Sequence, residues 1–107
     1  MNMSERVLLS SAASLKGAIE VTASSVLSLA EDGKRNFLYL SNNSSNPDEI
    51  VWLGFGVPAV VGEGVPLCPG GVPVVMSGST GIYTGDIYMI ASEGTPSVSW
   101  QVLWSNC

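Results

Sequence analysis

The sequence predicts an all-β chain, a jelly-roll-like β-sandwich of about eight short antiparallel strands with an N-terminal arm. Three observations predict it. Short apolar segments recur at nearly regular spacing, each bounded by Gly, Pro, Asn or Ser. Only Met1 to Gly17 runs without such punctuation, so no helices separate the segments. The chain has 107 residues, 46% hydrophobic and 12% charged, which is enough for one apolar core and too short for two domains. Short strands without helices close a core only by packing sheet on sheet or by curling into a barrel. Residues 1–17 are therefore expected to form an arm or short helix, and residues 18–107 the sandwich.

In the first segment Ser4 and Glu5 suit a helix start ahead of Val7, Leu8 and Leu9. These leucines stand among small residues without a helical period, so an extended arm docking on another subunit is preferred. Ile19 to Thr22 then alternates apolar with polar, and Val26 to Leu29 follows. Glu31-Asp32-Gly33-Lys34 reads as a turn in which Gly33 supplies positive φ. Asn36 to Asn42 carries aromatic and apolar residues on both parities, which predicts a central strand covered on both faces. After the polar loop Asn43 to Asp48, Ile50 to Gly56 is β-branched and aromatic, with Gly54 and Gly56 marking a bend or bulge. Further segments span Ala59 to Val61, Val65 to Leu67, Val72 to Met76, Gly81 to Tyr83, Asp86 to Ala91 and Ser97 to Trp104. In the last, Val98, Trp100, Val102 and Trp104 share one face.

Nine acidic residues against four basic ones give a net charge of −5, which repels phosphate backbones and anionic lipid. Neither nucleic acid nor membrane is an expected partner. No apolar run approaches the ~18 residues of a membrane helix, and Ser10, Ser11 and Lys16 interrupt any signal-like start. Low charge with a Ser- and Gly-rich surface points instead towards contact with other protein. Cys68 and Cys107 lack the spacing of a zinc site or redox pair; free thiols are expected, with a structural disulfide as the alternative.

Catalytic equipment is scarce. The absence of histidine removes the usual general base, the Ser/His and Cys/His pairs and the commonest zinc ligand. Asp48 and Glu49 are adjacent carboxylates, but neighbours on a strand point to opposite faces and their loop favours solvent. Gly54-Phe55-Gly56, Gly62-Glu63-Gly64 and Pro69-Gly70-Gly71 are turns, since none leads into a phosphate-binding helix. Asn42-Asn43-Ser44 and Asn43-Ser44-Ser45 match the glycosylation pattern but are explained as loop composition. The rings of Trp52, Trp100, Trp104, Tyr39, Tyr83 and Tyr88 suit either core packing or stacking on sugars. Core packing is preferred for Trp52 and Trp100, an interface for Tyr83 and Trp104. No catalytic residue, metal ligand or cofactor is assigned.

The stretch Arg35-Asn36-Phe37-Leu38-Tyr39-Leu40-Ser41-Asn42-Asn43-Ser44, then Ile50-Val51-Trp52-Leu53-Gly54-Phe55-Gly56 and Leu67-Cys68-Pro69-Gly70-Gly71, resembles small virion proteins of tailed bacteriophages, the capsid decoration or cement proteins and related accessory proteins. The pattern continues through Gly85 to Ala91 and the last strand, about two thirds of the chain. The resemblance implies a non-enzymatic β-sandwich or jelly roll on the virion surface. Its implied partners are the major capsid protein and further copies of itself, as a dimer or trimer. Val7, Leu8, Leu9 and Leu15 of the arm, with Tyr83 and Trp104, are the candidate interface residues. The competing reading is a carbohydrate- or receptor-binding module of a tail or fibre. A cupin-type enzyme fails for want of histidine ligands.

Overall fold

The computed structural model describes residues 14–78 and 81–104. They form eight strands: β1 (Ser14–Glu20), β2 (Val26–Leu29), β3 (Arg35–Asn42), β4 (Val51–Phe55), β5 (Val65–Leu67), β6 (Val74–Ser77), β7 (Ile87–Ala91) and β8 (Ser97–Trp104). One sheet has the order β1-β8-β3-β6 and the other β2-β7-β4-β5, with every neighbouring pair antiparallel. β1 pairs with β8, β2 with β7, β3 with β6 and β4 with β5, as in one long hairpin folded at its middle. The additional β3·β8 and β4·β7 ladders show the hairpin rolled into two sheets. That connectivity is a jelly roll, as the sequence predicts.

Alternation along the strands builds the core. Leu38 and Leu40 of β3 and Val98 and Val102 of β8 point inward from the first sheet, to meet Val51 and Leu53 of β4 and Ile87, Met89 and Ala91 of β7. Burying each of the Val, Leu, Ile and Met side chains contributes about 1.5–3 kcal/mol. β3 is interior to its sheet, and its outward residues Phe37, Tyr39 and Ser41 are half-buried.

Three expectations are revised. β1 begins at Ser14, so residues 14–17 of the expected arm belong to the sheet. Gly17 permits this, because a Cβ there would lie 3.0 Å from the indole of Trp100 on the paired strand. Ala59 to Val61 and Gly81 to Tyr83 contribute only the isolated bridges Val60↔Glu63 and Ser77↔Gly81. In the β2–β3 turn Gly33 is not left-handed; the Asp32 carboxylate accepts the N–H of Lys34 at 3.0 Å and organises the turn. Pro69-Gly70 does form the expected turn, with Gly70 at φ +65° and the Gly71 N–H bonded to the Cys68 carbonyl.

Antiparallel order gathers the β1–β2, β3–β4, β5–β6 and β7–β8 loops at one end, tied by bonds such as Val21 N–H to Pro96 O and Gly70 N–H to Asn42 O. The β2–β3, β4–β5 and β6–β7 loops meet at the other. β3 spans this distance, and its two terminal residues are the buried polar side chains of the described fold, Arg35 and Asn42.

Candidate functional surface

Among the described residues no group of His, Cys, Asp or Glu side chains is arranged to hold a metal. Asp48 is exposed, whereas Glu49 is half-buried, accepts the Ser44 hydroxyl at 2.6 Å and lies against Gly94. The two carboxylates therefore form no acid/base pair. Asn42, the first of the glycosylation-like asparagines, is 3% exposed and spends its amide on the carbonyls of Glu49 and Leu67. Asn43 donates to the Ser99 hydroxyl. Cys68 is an exposed free thiol, and Cys107 lies outside the described residues.

Of the six candidate interface residues, Val7, Leu8 and Leu9 lie outside the described residues. Leu15 is exposed on the edge strand β1. Tyr83 is half-buried with its ring edge-on to Phe55, the centroids 5.2 Å apart. Trp104 is half-buried against the core and its Nε1–H donates to the Asp32 carboxylate. Both rings thus serve contacts within the subunit.

The outer faces of the two sheets differ in chemistry. Cross-strand pairing places Leu27, Trp52, Pro66, Tyr88 and Ile90 together on the outside of the β2-β7-β4-β5 sheet. Its four strands, Val-Leu-Ser-Leu, Val-Trp-Leu-Gly-Phe, Val-Pro-Leu and Ile-Tyr-Met-Ile-Ala, contain no charged residue. Leu27 is 49% exposed, and Val26, Val57, Val60, Val61 and Val65 on the same sheet or its β4–β5 loop are also exposed. The outside of the β1-β8-β3-β6 sheet instead mixes Lys16, Glu20, Ser41, Ser99 and Gln101 with Phe37 and Tyr39.

The β4–β5 loop is strapped down over the apolar sheet. A Cβ at Gly54 would come within 2.4 Å of the Val57 carbonyl, and the Ala59 N–H donates to the Ser25 hydroxyl at 2.8 Å. Between loop and sheet lies a pocket of about 320 Å³, lined chiefly by Leu53, Phe55, Val57, Pro58, Val60 and the carboxylate-bearing Glu63. A second, shallower depression on the polar sheet is lined by Lys16, Ala18, Tyr39, Ser99 and Gln101.

Sequence reading missed the apolar outer face because it weighed apolar residues segment by segment. The signal was the distribution of charge, absent from all four segments that form one sheet. Neither a protein-family model, nor a curated protein, nor a solved structure matches this chain, so its classification rests on the jelly-roll connectivity and on this uncharged face.

Proposed function

We propose that this protein is a non-enzymatic virion structural protein of a tailed bacteriophage, which decorates the capsid and bridges neighbouring capsid subunits. The observation that carries the reading is the partly exposed apolar outer face of the β2-β7-β4-β5 sheet, whose four strands carry no charge, together with the exposed valines of its β4–β5 loop. Exposed apolar area of this kind favours burial against protein, and a rigid sandwich presents it without ordering cost. The jelly roll is a scaffold frequent in capsid proteins, an analogy of fold that agrees with the sequence resemblance. A bridging subunit stabilises a shell because opening a joint also exposes the area buried by the bridge. Each joint needs about 1,200 Å² to hold alone, and repetition over symmetry-related sites compensates for weaker ones.

The test is co-sedimentation with phage heads that lack this protein. The wild type is expected to bind saturably, and Leu27→Lys, which charges the apolar face, to weaken binding at least tenfold. Absence of binding by the wild type overturns the proposal.

One observation favours a second reading, glycan binding. Tyr39 lies on the outer face of the other sheet beside Gln101, Ser99 and Lys16, a ring flanked by hydrogen-bonding groups. Glycan titration with Tyr39→Ala as control separates the readings, since capsid binding through the apolar face is indifferent to Tyr39.

A further inference from the structure

We propose that β1 is a dimerisation strand, whose free edge pairs antiparallel with β1 of a second copy about a twofold axis at Ala18, setting Lys16 of each chain opposite Glu20 of the other. The inference goes beyond the decoration reading and does not rest on it. β1 stands at the edge of its sheet, with β8 on one side only. The Val21 N–H bonds to the Pro96 carbonyl, so by alternation Ile19 and Gly17 also turn their backbone groups towards β8. Lys16, Ala18 and Glu20 turn theirs to the open edge, where they offer donors and acceptors to a further strand.

The charges on the strand choose both partner and register. Lys16 and Glu20 are the charged residues of β1, both exposed and on its outer side, opposite uncharged Gln101 and Ser97 of β8. Four residues apart on an extended strand, they lie about 13 Å from each other and cannot pair within one chain. A lone lysine on an edge strand ordinarily discourages pairing. An axis at Ala18 removes that obstacle, because positions 16 and 20 are equidistant from it and two pairs of opposite charge form at once. An axis at Gly17 or Ile19 sets Lys16 opposite Ala18 or Thr22 instead, without an ion pair. The chain before β1 offers no equal match. Its charged side chains, Glu5 and Arg6, are adjacent, and no antiparallel register sets adjacent charges opposite two that are four apart.

The inner side of the same edge is open as well. Leu15 and Val26 pair with the core residues Val102 and Met89, so both belong to inward faces, yet they are 52% and 44% exposed. Residues 21–25 alone join β1 to β2, which keeps these two edge strands on one side of the sandwich. In the Ala18 register Ile19 of the second copy lies opposite Gly17, an exposed residue that borders the Trp100 indole. Gly17 leaves room there, since a Cβ at this position would already lie 3.0 Å from the ring. Leu15 lies opposite Val21 of the second copy. The contact therefore covers apolar surface while it joins the charges.

The experiment is sedimentation velocity on the full chain over a wide concentration range, with Lys16→Glu, Glu20→Lys and an equimolar mixture of the two. Both residues are exposed, so the substitutions spare the core. The wild type is expected to form a reversible dimer. Each single variant sets two like-charge pairs across the axis and should weaken dimerisation about tenfold or more. The mixture should recover to within about threefold of wild type, since one chain then brings two carboxylates to the joint and the other two ammonium groups. Pairing of β1 with its own chain cannot produce that rescue. A wild type monomeric throughout, single variants that dimerise normally, or a mixture that remains impaired would each overturn the pairing. Head binding by a protein that fails this test leaves the decoration reading in place.

Discussion

At one end of β3 the Arg35 guanidinium donates to three backbone carbonyls, those of Ala30 at 2.8 Å, Tyr83 at 3.0 Å and Gly85 at 3.3 Å. At the other end the Asn42 amide donates to Glu49 O at 2.8 Å and Leu67 O at 2.9 Å, and its oxygen accepts the Ser44 N–H. Both side chains fasten segments that arrive from different sheets, but among the described residues the ends differ in the kind of contact around them. Around Asn42 several backbone bonds between loops and strand ends repeat the connection: Asn43 to Ser97, Gly70 to Asn42, Ala91 to Thr22 and Ser92 to Ile50. Among the described residues the backbone bonds around Arg35 are Asp32 to Thr84, Gly56 to Asp86 and Gly78 to Asn36, and side chains add to them, the Asp86 carboxylate accepting the Glu31 N–H. A guanidinium suits that end because its five donors in a fixed fork reach two loops at once. Its cost is desolvation, which lowers its pKa from the ordinary value and is only partly offset by attraction to Asp32, Tyr83 and Asp86.

This asymmetry predicts that the charged end is the more vulnerable. Arg35→Ala leaves three carbonyls without their donor and two carboxylates without their cation, an expected loss of about 3–5 kcal/mol. That is a large part of the stability of a domain of this size. Urea unfolding measures it directly, and a loss under about 1 kcal/mol would show that the loops hold without the guanidinium. Arg35→Lys should recover little, since a single ammonium cannot serve the same fork.

Asn42→Ala is expected to cost less, about 2 kcal/mol, because the surrounding backbone bonds persist while two carbonyls and one N–H lose their partner. Asn42→Asp sharpens the contrast. It removes both donors and buries a carboxyl, whose pKa burial raises above its unfolded value. The folded variant then holds its proton to higher pH than the unfolded chain, so its stability should fall as pH rises from 4 to 7. Stability of Asn42→Asp that is flat with pH would contradict the burial of this position.

The same two residues show what the sequence disclosed. Arg35 and Asn42 mark the limits of the strand pattern, and the strand was legible because Phe37 to Leu40 are apolar and bounded by polar residues. Their burial was not legible, since Arg and Asn at strand ends ordinarily face water. Only the roll, which brings Tyr83 and Gly85 to Arg35 across 48 and 50 positions, encloses them. The bond made by Trp104 was not legible for a related reason. Its place on the inward face with Val98, Trp100 and Val102 was evident from alternation, but its partner Asp32 lies 72 positions away. Local turn chemistry at Pro69-Gly70 needed no such long-range information, and there sequence and structure agree.

A smaller effect tests the periphery of the charged end. Trp104→Phe keeps most of the ring's packing and deletes the Nε1–H bond to Asp32, for an expected loss of about 1 kcal/mol. It should be nearly non-additive with Arg35→Ala, because both substitutions loosen the loop that carries Asp32. Fully additive losses in a double-mutant cycle would separate the two contacts and divide this end into independent fastenings.

The smallest expected effect is the response of the wild type to pH. A buried arginine at a fastening point invites the expectation of a pH-sensitive joint, but the direction of its shift argues otherwise. Burial places the folded-state pKa of Arg35 below its unfolded value, so the two states differ in bound protons only in strongly alkaline solution. There the unfolded chain binds more protons, and the destabilising cost of the buried charge is relieved as pH rises through the folded-state pKa. Below that range Arg35 is protonated in both states and contributes no slope. The chain also lacks histidine, the side chain that ordinarily titrates near neutrality. The urea midpoint should therefore correspond to a stability constant within about 0.5 kcal/mol from pH 6 to 9. A larger slope in the wild type that disappears in Arg35→Ala would place a proton-linked group at the Arg35 end. The contrast between the two ends would then be one of titration as well as of contact.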